Sequence, residues 1–112
     1  MTPNALATLE QCLLDSLASP PDETRRLLHG RGRRWPGLEQ LTVDWLEGVL
    51  LVALFREPPA EQLEALRALL TRVGESASWQ HSGARHLLLQ LRYLPNSPTE
   101  FLLGEPLDGW QI

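Results

Sequence analysis

Leu6, Leu9, Leu13 and Leu17 recur at steps of three and four residues, and Leu14 widens the stripe. That spacing fits a 3.6-residue turn and predicts an amphipathic helix over residues 4–18. Thr2 or Asn4 can cap its start. Ser19-Pro20-Pro21-Asp22 ends it, because proline cannot continue a helix and disfavours helix in the residue before it. Residues 24–29 read as a strand or as a turn of helix. Leu41-Thr42-Val43-Asp44-Trp45 alternates apolar and polar, the pattern of a strand with one wet face. A tight connection at Glu47-Gly48 leads to residues 49–55, apolar on both faces and so expected as a central antiparallel partner. Pro58-Pro59 opens a second helix, where proline suits the first turn. Its buried stripe is Leu63, Leu66, Leu70 and Val73, with Gly74 as the C-cap. Residues 75–83 read as a polar loop. Over residues 86–94, Leu87, Leu89, Leu91 and Tyr93 face one way, and Gln90 and Arg92 the other. Pro95-Asn96-Ser97-Pro98 is a turn, residues 99–103 a short strand, and Gly104-Glu105-Pro106 its breaker. Asp108-Gly109 then signals a turn before Trp110-Gln111-Ile112, which reads as the start of another strand.

These elements predict an α+β fold: an N-terminal helix followed by a strand-strand-helix-strand-strand unit with a mainly antiparallel sheet, the second helix packed on one face. Residues 1–112 form a single domain, made of the helix at 4–18 and a small α+β body over 24–112. Because the pattern stops within a strand, the chain is expected to be the N-terminal fragment of a longer protein. At 112 residues and 43% apolar content the class is globular, with a small core. No apolar run approaches the roughly 18–20 residues that span a bilayer, so no membrane partner is expected. The first residues lack the basic start of a usual secretory signal. Cys12 is the sole cysteine and sits in a leucine-rich helical pattern, where a buried structural thiol is expected. The cytoplasm is the expected compartment.

Charge sharpens the picture. Residues 24–37 carry five arginines and no acid, leaving −9 on the remainder to give the net −4. The chain has no lysine, and arginine favours bidentate contacts to phosphate or carboxylate. Arg25, Arg26, Arg31, Arg33, Arg34 and Trp35 are the RNA-binding candidates: guanidinium groups suit phosphate and an indole suits base stacking. The rival reading is a solvated hairpin loop with Trp35 folded into the core edge. Trp45, Trp79 and Trp110 read as core or interface anchors.

No nucleophile, base and orienter come together in the sequence. His81 and His86 lie five apart without a third ligand of metal type, so no metal site is expected. The glycine-bearing stretches "HGRGRRWPG" and "GEPLDG" do not follow a strand and open a helix, as a phosphate cradle must. Catalytic, cofactor-binding and metal residues are therefore expected to be absent here. Gly37 after Pro36 fits the third position of a type II turn. Asp44 is the polar member of an alternating strand, with the neighbouring turn as its expected partner.

The stretch "RRLLHGRGRRWPGLEQLTVDWLEGVLLVALFREPP" resembles a segment of bacterial class I S-adenosylmethionine-dependent methyltransferases that modify ribosomal-RNA cytosine. The matching residues are Gly30, Gly32, Pro36, Gly37, Leu38, Val43 and Asp44, followed by the apolar strand. "LLLQLRYLPNSPTEFLLGEP" looks like the family's next two strands, and "DGWQI" like the strand leading into the methyltransferase domain. In that family a small sheet-and-helix domain precedes a Rossmann-like catalytic domain. The resemblance covers residues 24–112 and departs in two ways. The RNA-binding PUA domain that often opens these proteins is replaced by the single helix at 4–18. The cofactor loop and catalytic cysteine of the family lie downstream, and Cys12 does not match that cysteine.

The resemblance implies a non-catalytic N-terminal domain of an RNA methyltransferase, inactive alone, that helps hold RNA or packs on the downstream catalytic domain. S-adenosylmethionine is implied for the full-length protein and not for this fragment, and ribosomal RNA is the implied nucleic-acid partner. The alternative is a protein-interaction or dimerisation module, a homo-oligomer without nucleic-acid binding.

Overall fold

The computed structural model describes residues 3–19, 24–29, 40–46 and 48–104. Five strands form one sheet: β1 (Arg25–His29), β2 (Leu41–Trp45), β3 (Val49–Leu54), β4 (His86–Leu91) and β5 (Thr99–Leu103), paired in the order β1-β2-β3-β4-β5. The long apolar run thus occupies the middle, and all six residues of β3 are buried. A strand flanked on both edges and covered on both faces has no position for a hydrated side chain.

β2 pairs antiparallel with β3, from Leu41 opposite Leu54 to Trp45 opposite Leu50. The hairpin closes where the amide of Leu46 donates to the Val49 carbonyl at 2.8 Å and that of Val49 to the Leu46 carbonyl at 3.3 Å. β4 instead runs parallel to β3, from Val49 beside His86 to Leu54 beside Leu91. A parallel neighbour needs a long crossover back to the starting end. Here it contains two helices, α2 (Ala60–Gly74) and α3 (Ala77–Ser82). The outer strands β1 and β5 are antiparallel to β2 and β4, each with a register shift. The result is the expected α+β fold with a mainly antiparallel sheet.

The helices share one face. Leu9, Leu13 and Leu17 of α1 (Pro3–Ala18) join Leu66, Leu69, Leu70 and Val73 of α2 and Trp79 of α3 in one cluster with Val43, Leu50, Val52, Leu87 and Leu89 of the sheet. On the other face Val49, Leu51 and Leu88 form a smaller cluster, packed by Leu46 and Phe101. Two ion pairs brace the helical layer. The Arg67 guanidinium donates to Glu100 of β5 through Nε (3.0 Å) and Nη2 (2.7 Å), and that of Arg72 reaches Glu10 of α1 at 3.2 Å. Each is partly exposed and worth at most about 1 kcal/mol.

Three expectations are corrected. Residues 75–83 are not a loop throughout: α3 lies within them. The Ser76 hydroxyl accepts from the Trp79 amide at 3.1 Å, a side-chain cap that starts the helix, and Trp79, 5% exposed, anchors it in the core. Six residues are too few for a helical period to show in the sequence. Gly74 is the last residue of α2, and the C-cap is Glu75 at φ −97°. Gly74 serves close packing instead, since a Cβ there would meet Leu103 Cδ2 at 3.4 Å and Leu87 Cδ2 at 3.6 Å. β4 ends at Leu91 rather than Leu94, because the chain turns at once: the Leu94 amide donates to the Leu91 carbonyl at 3.3 Å. The strand expected to begin after Asp108-Gly109 lies outside the described residues.

Gly104 closes β5 with φ +88°, and a Cβ would stand 2.6 Å from the Arg85 carbonyl oxygen and 2.6 Å from His86 Cδ2. Backbone and an inward ring cannot yield cheaply there. Gly104→Ala is expected to cost roughly 1–3 kcal/mol, read as a lower urea midpoint. An unchanged midpoint would show that this end of the β4–β5 ladder relaxes freely.

Candidate nucleic-acid interface

The arginine cluster enters the structure through β1. Arg25 sits opposite Trp45 and Arg26 opposite Asp44. The Arg26 guanidinium donates to Asp44 through Nε at 2.8 Å and Nη2 at 3.4 Å. Asp44 therefore holds an arginine of the adjacent strand, not the turn. The hydrogen bond to Asp44 and the carboxylate's charge raise the Arg26 pKa against a smaller opposing effect of burial, so the guanidinium stays charged. Arg26 is half exposed and pins the edge strand β1 while its charge reaches solvent. Arg31, Arg33, Arg34 and Trp35 lie outside the described residues, as do Pro36 and Gly37.

The anchors of that loop are described. His29 is opposite Thr42 in the β1–β2 ladder. At the other end of the loop, the Gln40 carbonyl accepts from the Phe55 amide at 2.7 Å. Both anchors therefore lie at the end of the sheet where β3 and β4 finish. There the Arg92 amide donates to the Leu54 carbonyl at 2.8 Å, and the Arg92 guanidinium carbon stands 5.4 Å from the centroid of the Phe55 ring. Phe55 and Arg92 follow the paired Leu54 and Leu91. The sequence pattern alone did not bring them together, because parallel pairing of two strands over 30 residues apart leaves no local signal.

Other candidate chemistry is dispersed. His86 Nδ1 and Gln90 Oε1 are buried without a hydrogen-bond partner among the described residues. Four residues apart on one strand, they are about 13 Å from each other, too far to serve one ligand atom. No group of three metal-binding side chains occurs among the described residues. Trp45 and Trp79 are each 5% exposed core residues, and Trp110 lies outside the described residues. No described helix is long and apolar enough to cross a membrane.

The parallel pair would be the place for a nucleotide-type cofactor, at the turn from strand to helix. That turn is Phe55-Arg56-Glu57-Pro58-Pro59. It has no glycine to let backbone approach a ligand, and Pro59 precedes α2 at φ −55° without a side-chain cap. These residues do not fit an S-adenosylmethionine site.

Cys12 is half-buried on α1, less enclosed than the expected core thiol. Burial raises its pKa; a hydrogen bond with Ser16 opposes this, and the Asp15 charge adds to it. The thiolate is the nucleophile, so alkylation by iodoacetamide should be slower near neutral pH than for a free thiol. Its rate–pH midpoint should lie above the ordinary thiol value of about 8.5. A midpoint below that value would mark Cys12 as activated.

A sequence model of the S-adenosylmethionine-dependent methyltransferases matches residues 25–112. No curated protein matches the chain significantly. The matched stretch begins with the first residue of β1 and takes in the whole sheet with its crossover helices, leaving α1 outside. With most of its length so matched, the chain belongs to the S-adenosylmethionine-dependent methyltransferase family.

Proposed function

We propose that within this family the chain is a non-catalytic N-terminal unit of a methyltransferase acting on ribosomal-RNA cytosine. Its role is to hold or orient RNA for a catalytic domain that carries the S-adenosylmethionine site. The observation that carries this reading is the topology of the sheet. One parallel pair flanked by antiparallel strands offers a single strand-to-helix turn, and bulky and proline residues fill it. A unit built this way supports a partner and leaves bond-making chemistry to another part of the protein.

The RNA half of the proposal is supported by the arginine cluster. His29 and Gln40, which flank the segment bearing Arg31, Arg33 and Arg34 in the sequence, both sit at the end of the sheet where β3 and β4 finish. The dimerisation reading has less support. Among the described residues the exposed large apolar side chains are Leu94 and Leu103, less than a stable apolar interface calls for.

Binding of a fluorescein-labelled oligouridylate, followed by anisotropy, should weaken steeply with salt. Replacing Arg31, Arg33 and Arg34 with Ala should lower the log–log salt slope by roughly 0.7 for each phosphate that is no longer neutralised. An unchanged slope would reject the loop as the RNA-facing segment, and a wild-type chain that fails to bind would reject the RNA role.

A further inference from the structure

We draw no further inference here: the strongest candidate, the sheet face away from the helices, where Val49, Leu51 and Leu88 form an apolar patch beside the buried, unpartnered His86 Nδ1 and Gln90 Oε1, carries none, because nothing among the described residues shows what covers it.

Discussion

The structure depends on the pairing of β3 with both of its neighbours. Val49 and Leu51 point into one apolar cluster, and Leu50, Val52 and Leu54 into the other, so no polar substitution on either face escapes burial. The parallel pairing with β4 forces the chain through a crossover, and that crossover supplies two of the helices that cover the sheet. The same pairing brings the exits of β3 and β4 together, which creates the Phe55–Arg92 stack. Core and candidate surface are thus two consequences of one strand arrangement.

The helical layer closes one side of this frame with little electrostatic help. Leu9, Leu13 and Leu17 are fully enclosed, as are Leu66, Leu70 and Val73, and burial of such side chains is the dominant favourable term. The Arg67–Glu100 and Arg72–Glu10 pairs fix how α2 sits against β5 and α1. Arg26 and Asp44 do the same for the edge strand β1. Asp44, Glu100 and Glu10 thus help hold elements together, whereas Arg56 and Arg92 are exposed and have no ion-pair partner among the described residues.

Much of this frame was legible in the sequence because its signals are local. The leucine period marked α1, strict alternation marked β2, and the unbroken apolar run marked β3 as central. The bounds of β2 and β5 came directly from residue patterns. What stayed hidden was either short or distant. α3 is stapled by one serine cap and one buried tryptophan, too little for a period to show. Gly74 looked like a helix stop, yet it is a packing glycine whose reason is Leu103, nearly thirty positions away. Of the candidate site, the arginine cluster was visible as composition, and Arg26 is now tied to Asp44. Arg92 and Phe55 could not be paired before the parallel register of β3 and β4 was known.

Membership of an S-adenosylmethionine-dependent family sits beside a sheet whose strand-to-helix turn, Phe55-Arg56-Glu57-Pro58-Pro59, carries two prolines and no glycine. The proposed division of labour, with support in this unit and methyl transfer in another, would reconcile the two. Equilibrium dialysis of the purified chain against radiolabelled S-adenosylmethionine tests that division most directly. No label should be retained above a protein-free control, and saturable binding at one molecule per chain would refute the division.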